Sequence, residues 1–216
     1  RRPWTGGGAG LSTQIILASK SAARRAVLTG AGVPFEVSVA GVDEDAVKNA
    51  MLAEGASPRD VADALAELKA IKVSRSKPGF VIGSDQTLEF EGKLYDKAET
   101  VEAAAERLKT MRGKPHKLHS AVVVAKDGAP IWREIVSATL TMRDFSDEFL
   151  ASYLELEGQE ALGSVGCYRL EGPGARARPG LSLRPAHVAR RARQSRAQNH
   201  QAIGEPERRP AAGAAG

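Results

Sequence analysis

The chain has 216 residues, 42% of them hydrophobic, which is enough for one domain or two small ones with a real core. No apolar run approaches the roughly 20 residues of a membrane span, the Gly-rich start lacks the apolar region of a secretory signal, and a single cysteine excludes an internal disulfide. The net charge of +5 suggests nucleic-acid binding, but residues 175–216 carry nine arginines and two glutamates, or +7, which leaves −2 for residues 1–174.

The first predicted element is an apolar strand over residues 14–19, which follows a segment, residues 1–13, expected to be disordered. Ser21 then caps a predicted helix that extends to about Thr29. The free amides and the positive dipole end of a helix N-terminus suit phosphate, and Arg24 could add bidentate contacts to its oxygens. A capped amphipathic helix with solvated arginines fits the same spacing, so both interpretations stay open.

Residues 34–45 alternate apolar and polar side chains as far as Val39 and then become acidic, which predicts a strand that leads into a loop. This loop carries Asp43, Glu44 and Asp45. Clustered carboxylates in a loop can bind a divalent cation through their oxygens. A solvated turn has the same composition and is the alternative.

A long helix is predicted next, because Ser57 suits its N-cap, Pro58 suits its first position, and Pro78 closes the segment. Its predicted buried stripe comprises Val61, Leu65, Leu68 and Lys72. A buried lysine is unusual unless its ammonium meets an anion or extends to solvent. Lys69 is predicted on a neighbouring face, and for both lysines a solvated face is the alternative.

The segment VIGSDQTLEFEGKLYDK, residues 81–97, predicts a buried strand that ends on Asp85, followed by a hairpin that returns Lys97. In open α/β sheets, ligands bind at the carboxyl ends of strands, and Gly83 would allow a close approach of another backbone or of a ligand. Asp85 is therefore the best single candidate for a metal ligand or a general base. Aspartate is also common in turns, so its position alone does not distinguish a functional carboxylate from a turn residue.

Two further helices and a long hairpin complete the predicted domain. Thr100 and Ser146 cap the helices, and the hairpin turns at residues 127–128. The predicted buried face of the hairpin comprises Trp132, Val136, Ala138, Leu140 and Met142. Helices and strands thus alternate, with hairpins among them, which predicts an α/β domain with a mixed sheet and flanking helices.

Motifs of several other site classes are missing from the sequence. It has neither a G-x-x-x-x-G-K loop nor a G-x-G-x-x-G motif, and His116, His119 and Cys167 lack a metal-ligand spacing. A thiol nucleophile is disfavoured because Cys167 lies in a predicted strand, where a small buried residue is ordinary. Carboxylates, cationic side chains and a strand-to-helix phosphate site instead fit metal-assisted hydrolysis of a phosphoanhydride.

Six segments, in this order along residues 14–174, resemble the Maf (septum formation) family of nucleoside triphosphate pyrophosphatases. They are LASKSAARRAVLTGAGVPFEV, VDED, AELKA, VIGSDQTLEFEGKLYDK, AAERLKTMRGKPHKLHSAVVV and GSVGCYRLEGPG. The resemblance implies an elongated α/β fold of the Maf/ITPase-like type with a central cleft. In that cleft a nucleoside triphosphate would be hydrolysed to a monophosphate and pyrophosphate with Mg²⁺ or Mn²⁺. The family also suggests a homodimer, and the single cysteine fits a cytoplasmic location.

The resemblance also implies roles for particular residues. By motif position, Asp85 resembles the proton acceptor that activates water and helps to bind metal, and Glu44 resembles the acid that holds the metal. The implied phosphate-binding set is Ser19, Arg24, Lys69 and Lys97. A non-catalytic, nucleotide-binding regulator of septum formation and cell division is the alternative to an enzyme.

Gln86 and Glu171 are similar to the subgroup that acts on 7-methyl-GTP, whereas many other members have Thr and Gln at these positions. A glutamate that faces a methylated, cationic guanine would accept hydrogen bonds from the base and offset its charge. Sequence variation at the rim of the cleft is the alternative. Ala23 fits neither subgroup, and Ala98 stands where the family usually has Pro.

The resemblance stops after Gly174, which sets the predicted domain at residues 14–174 and leaves a tail, residues 175–216. The tail has few large aliphatic residues and no aromatic ones, so we expect disorder, or structure only by docking. Its Arg, Ala, Pro and Gly content is typical of a shifted reading frame in GC-rich DNA. Without aromatic residues to stack on bases, nucleic acid is not the expected partner.

Overall fold

The computed structural model describes residues 14–168 and the backbone of residues 184–185. The predictions for residues 1–13, for Glu171 and for the tail, apart from residues 184–185, lie outside the described residues. None of the described helices has the length and apolar character that crossing a membrane requires.

Strands and helices alternate along the described residues. The strands are β1 (Ile15–Leu17), β2 (Glu36–Val37), β3 (Phe80–Phe90), β4 (Lys93–Tyr95), β5 (Pro115–Lys126), β6 (Ala129–Thr141) and β7 (Arg184–Pro185). The α-helices are α1 (Ala22–Gly30), α2 (Glu44–Ala53), α3 (Pro58–Ser74), α4 (Val101–Met111) and α5 (Asp147–Glu157). A short 3₁₀ helix follows α5 at Gly158–Gly163. The predicted caps Ser21, Ser57, Thr100 and Ser146 each accept a hydrogen bond from the first turn of their helix.

The strands form one mixed sheet in the order β2-β1-β3-β5-β6-β7, and β4 also pairs with β3. Strand β1 is parallel to β2 and β3, whereas the remaining pairs are antiparallel. The β5–β6 hairpin turns at residues 127–128, as predicted. The predicted α/β fold with a mixed sheet and flanking helices is confirmed.

Helix α3 packs closely on one face of β3 and β5 because both sides carry small residues. Gly83 lies so near the helix that a Cβ atom there would stand 2.1 Å from the backbone oxygen of Ala66. The contact layer comprises Ala62, Ala66, Ala70, Ala121, Val123 and Ala125. This packing corrects the predicted stripe of the helix: Leu68 is 40% exposed, and Lys69 is buried in place of Lys72.

A second core forms on the opposite face of the sheet, where α4 and α5 cover its other end. Successive residues of a strand point to opposite faces, so Leu88 and Phe90 point away from α3 while Gly83 and Asp85 point toward it. The second core includes Leu88, Phe90, Leu108, Met111, Leu140, Met142, Phe145, Leu150 and Tyr153. The long strands β3, β5 and β6 therefore serve two cores on two faces.

Two residues predicted for the buried face of the β5–β6 hairpin are exposed, and for them the prediction is wrong. Trp132 is 50% exposed and Val136 is 49% exposed, whereas Leu140 and Met142 are buried. The second core contains Leu140 and Met142 but does not extend to the other two. Alternation identifies the face of a strand, but only tertiary packing decides how far along the strand that face is covered.

Strand β3 continues to Phe90 and does not end at Asp85, which corrects the predicted strand end. The continuation arises because Leu88 and Phe90 extend into the second core and because β4 and β5 pair with this half of the strand. Strand β1, in contrast, ends at Leu17, which pairs with Ile82. The sheet therefore has a step beside Asp85, where β1 has ended and β3 continues.

Candidate functional site

Asp85 lies at this step in the sheet, with its side chain on the α3 face. On one side its backbone pairs with Ala121 of β5. On the other side, the amide of Ala18 donates to the carbonyl oxygen of Ile82 at 2.8 Å, just before β1 leaves the sheet. Asp85 is only 8% exposed. A carboxylate buried to this extent requires a charged or hydrogen-bonding partner.

Lys69 of α3 supplies that partner and also connects Asp85 to Glu44 of α2. The Nζ atom of Lys69 lies 2.7 Å from Asp85 Oδ1 and 2.8 Å from Glu44 Oε1. The Lys69 side chain is 9% exposed, whereas that of Glu44 is 43% exposed. The cluster is therefore buried at Asp85 and open to solvent at Glu44. We call these three residues the acid–lysine cluster.

Burial raises the pKa of Asp85 above the usual range of an aspartate. This effect outweighs the charge and hydrogen bond of Lys69 and the charge of Arg24, which lower the pKa, while the negative charge of Glu44 raises it further. A carboxylate with a raised pKa is a stronger base once ionised than an ordinary aspartate. The position thus suits a group that accepts a proton.

The loop between β1 and α1 brings a second cationic group to the same step. Arg24 Nη1 donates to Ser19 Oγ at 3.0 Å, and the backbone amide of Ser21 donates to the same oxygen at 3.2 Å. Ser19 is 7% exposed, and Ser21 caps α1 through the amide of Arg24. Because the charge of Arg24 acts on Asp85, the N-terminus of α1 and the acid–lysine cluster share one electrostatic environment.

An ion pair links the helix that carries Glu44 to the loop that carries Lys97. Lys48, one turn after Glu44, lies 2.6 Å from Asp96 and 3.0 Å from Asp45, measured from its Nζ atom to the carboxylate oxygens. Asp96 directly precedes Lys97 in the β4–α4 loop. Lys97 itself is exposed and, within residues 14–168, has no hydrogen bond or ion pair to the acid–lysine cluster.

Arg107 of α4 holds the same loop from its other side. Its guanidinium donates to the carbonyl oxygens of Asp96 and Val165, the latter at 2.9 Å, and lies 5.4 Å from the ring centre of Tyr95. It also lies 3.7 Å from the sulfur of Cys167, which is buried. Burial raises the pKa of the Cys167 thiol, so this cysteine is a poor nucleophile, as expected from the sequence. The predicted strand around it is wrong, because Cys167 lies in a bend after the 3₁₀ helix.

Of the two residues predicted to contact the base, Gln86 lies within the described residues, and its side chain is hydrogen-bonded away from the acid–lysine cluster. Gln86 follows Asp85 along β3 and therefore points to the opposite face of the sheet. Its Nε2 atom donates to Ser120 Oγ at 2.8 Å. Glu171 lies outside the described residues. Their roles in base selection stay predictions.

The two carboxylates of the acid–lysine cluster could supply only some of the ligands that a divalent cation needs. Glu44 Oε1 and Asp85 Oδ1 both lie within 2.8 Å of one point, the Nζ atom of Lys69. Mg²⁺ commonly uses one or two carboxylates and takes its other ligands from water and substrate phosphates. Among the residues that the structure describes, no three His, Cys, Asp or Glu side chains form a group that could hold a metal ion. A cation at this point would thus need substrate or water oxygens.

Glu44 lies in a helix, α2, where the sequence predicted a loop. The predicted acidic loop is the start of α2: Asp43 caps the helix and accepts a hydrogen bond from the amide of Ala46 at 3.0 Å. The signals were present, since an aspartate N-cap is followed by two acids in the first turn and by Gly55 beyond the last turn. The contacts of Lys48 and Arg107 were not predicted either, because each joins segments that lie far apart in the sequence.

Comparison with known proteins points to one family. The model of the Maf-like protein family matches residues 14–178. A nucleoside triphosphate pyrophosphatase of Caulobacter vibrioides is 57% identical over 162 residues, which cover 75% of this chain and 81% of the relative. A nucleoside triphosphate pyrophosphatase of Granulibacter bethesdensis is 52% identical, with 74% and 82% covered. A 7-methyl-GTP pyrophosphatase of Brucella suis is 46% identical, with 76% and 83% covered.

Proposed function

The chain belongs to the Maf-like protein family, and we propose that it is a nucleoside triphosphate pyrophosphatase, which hydrolyses its substrate to a nucleoside monophosphate and pyrophosphate. The observation that carries the proposal is the acid–lysine cluster, in which Lys69 joins Glu44 and Asp85 at the step of the sheet. Relatives that are 57% and 52% identical carry the name of this activity.

The charges around the step suit a triphosphate, which brings roughly four negative charges. In the proposal, Lys69, Arg24 and the first amides of α1 bind phosphate oxygens, because ammonium, guanidinium and helix N-termini all favour anions. Ser19 helps to orient Arg24, whose Nη1 atom lies 3.0 Å from Ser19 Oγ. Lys97 would reach the phosphates from the β4–α4 loop, which the ion pair between Lys48 and Asp96 holds next to α2.

Asp85 is proposed as the general base. A water molecule attacks a phosphorus atom of the α,β-phosphoanhydride, Asp85 takes its proton, the new P–O bond forms, and the bond to the bridging oxygen breaks. The raised pKa of Asp85 favours proton uptake, and the burial of this residue limits competing contacts with bulk water. The two products are the nucleoside monophosphate and pyrophosphate.

Glu44 and Asp85 are proposed to hold Mg²⁺ or Mn²⁺ together with oxygens of the substrate. When bound, such a cation neutralises phosphate charge and polarises the phosphoryl oxygens. Glu44 suits this task because it is the more exposed of the two acids, at the open side of the cluster. Its place at the start of α2 fixes the carboxylate relative to α3.

The base of the substrate is a finer part of the proposal. Gln86 and Glu171 match the 7-methyl-GTP pattern by motif position, and a Brucella suis 7-methyl-GTP pyrophosphatase is 46% identical. Relatives with higher identity bear the more general name. We therefore include 7-methyl-GTP beside other non-standard and standard nucleotides as a candidate substrate.

A cytoplasmic location and a homodimer complete the proposal. The homodimer is supported by exposed apolar side chains on β6, where Ile131, Trp132 and Val136 are 54%, 50% and 49% exposed. Exposed large apolar side chains are common at protein contacts.

The proposed reaction is tested by product analysis across a nucleotide panel. Purified protein with Mg²⁺ or Mn²⁺ is given 7-methyl-GTP, UTP, dTTP and the standard purine nucleotides, and products are separated by ion-exchange chromatography. We expect equal amounts of monophosphate and pyrophosphate from at least one nucleotide, because the proposed reaction divides the α,β-bond. Release of orthophosphate and a nucleoside diphosphate would contradict the proposal. Binding of nucleotide without any product would also contradict it and would favour the alternative, a non-catalytic nucleotide-binding regulator.

A further inference from the structure

Lys69 stands at the point that the proposed function assigns to a divalent cation. Its Nζ atom lies 2.8 Å from Glu44 Oε1 and 2.7 Å from Asp85 Oδ1, and its side chain is 9% exposed. Both proposed metal-binding oxygens therefore already have a cation between them. In the protein without substrate, the ammonium group offsets one of the two negative charges of the carboxylates and bridges them.

A divalent cation cannot join this cluster while Lys69 keeps both ion pairs. At about 3 to 4 Å, like charges repel by several kcal/mol even at a moderate effective dielectric constant. The ammonium group would have to leave its two carboxylates, and a buried charge that loses its partners is strongly disfavoured. Binding of the free ion is thus coupled to an unfavourable loss of the ion pairs of Lys69.

A triphosphate removes this obstacle because its oxygens can accept hydrogen bonds from Lys69. The charges of Glu44 and Asp85 balance those of Lys69 and Arg24 in the free protein, so a lone divalent cation gains little from the cluster as a whole. A cation–triphosphate complex carries a net negative charge and is drawn to Arg24 and to the N-terminus of α1. Lys69 then exchanges carboxylates for phosphates as the cation takes its place.

We propose that Lys69 is a competitor for the metal position, so that the divalent cation enters together with the nucleotide and binds the free protein only weakly. The inference rests on the proposed function, because it takes Glu44 and Asp85 as the metal-binding acids. It assigns to Lys69 two successive partners: the two carboxylates before substrate binds, and the phosphates afterwards.

The test measures Mn²⁺ binding in the absence of nucleotide, by isothermal titration calorimetry and by the electron paramagnetic resonance signal of free Mn²⁺. We expect weak binding to the wild type and a Kd lower by about tenfold or more in Lys69→Met, where the competing charge is gone. Lys117→Met is the matched control, because it removes the same charge from the pair with Glu89 at 2.8 Å and leaves the acid–lysine cluster intact. Equal Mn²⁺ affinity of wild type and Lys69→Met would overturn the inference.

Two further variants separate competition from a general change of the fold. Lys69→Arg keeps the positive charge and should bind Mn²⁺ as weakly as the wild type. The double variant Lys69→Met/Glu44→Gln should lose the increase in Mn²⁺ affinity expected for Lys69→Met, since one of the two carboxylates is absent. A gain that persists in the double variant would place the Mn²⁺ elsewhere and overturn the inference.

The wild type alone gives an independent measurement if Lys69→Met does not fold. With a nucleotide analogue that has a methylene bridge between the α- and β-phosphorus atoms, we expect Mn²⁺ to bind the protein at least about tenfold more tightly than without it, after correction for binding to the analogue itself. Unchanged affinity would reject the inference. Pyrophosphate release by the wild type is assayed in parallel: release with unchanged Mn²⁺ affinity rejects only the role of Lys69, whereas absence of release rejects the proposed function.

Discussion

Replacement of Asp85 by asparagine is expected to lower kcat for pyrophosphate release by about 10²- to 10⁴-fold, the usual contribution of a general base. Asparagine keeps the shape of the side chain and can still accept a hydrogen bond from Lys69 Nζ, which lies 2.7 Å from Asp85 Oδ1. It cannot accept the proton of the attacking water, and its amide is a weak ligand for a divalent cation. Steady-state kinetics at saturating substrate and metal measure the effect.

Asp127→Asn is the matched control for this variant. This variant makes the same change from a carboxylate to an amide, but in the β5–β6 turn. Asp127 has a φ of 52° there, a conformation that asparagine adopts readily. We expect its kcat to equal that of the wild type. Circular dichroism should show that both variants are folded. A folded Asp85→Asn protein with wild-type kcat would remove Asp85 from the role of base.

The second large effect is expected at Glu44, where replacement by glutamine should raise the Mg²⁺ concentration for half-maximal rate by about tenfold or more. The carboxylate is lost at the open side of the cluster, 2.8 Å from Lys69 Nζ, while the amide retains nearly the same volume. Kinetics as a function of Mg²⁺ concentration distinguish this loss of metal affinity from a loss of the base.

The neighbouring acid in α2 provides the control for Glu44. Asp45 is the next residue of the same helix turn, but its side chain is 85% exposed and contacts Lys48, not Lys69. Asp45→Asn should therefore leave the Mg²⁺ dependence within about twofold of the wild type, as expected for an exposed ion pair. Equal effects of Glu44→Gln and Asp45→Asn would mean that general negative charge on α2 matters, and that Glu44 has no specific contact with the metal.

Local signals were sufficient where a helix is fixed by contacts within its first turn. Ser21, Ser57, Thr100 and Ser146 each bond to an amide three residues away, so the caps could be recognised from the sequence. The same kind of signal was present at Asp43, and the missed helix α2 was an error of interpretation. The mixed sheet followed from the order of strands, hairpins and helices.

Other features could not be recognised, because they depend on how segments pack. Leu68 is more hydrophobic than Ala66, yet α3 turns its alanines inward, because the helix lies so close to β3 at Gly83 that only small side chains fit between them. That rotation is what buries Lys69 instead of Lys72. The contact between Lys69 and Asp85 arises only because α3 folds back over β3, and the sequence motif alone suggested both residues without showing that they touch.

The position of a bound nucleotide tests the proposed site most directly, and a crystal structure with Mn²⁺ and the methylene-bridged analogue would measure it. We expect an anomalous Mn²⁺ peak between the carboxylates of Glu44 and Asp85, with phosphate oxygens within hydrogen-bond distance of Lys69 Nζ and at the N-terminus of α1. An analogue bound away from the step in the sheet, or Mn²⁺ bound without either carboxylate, would contradict the account.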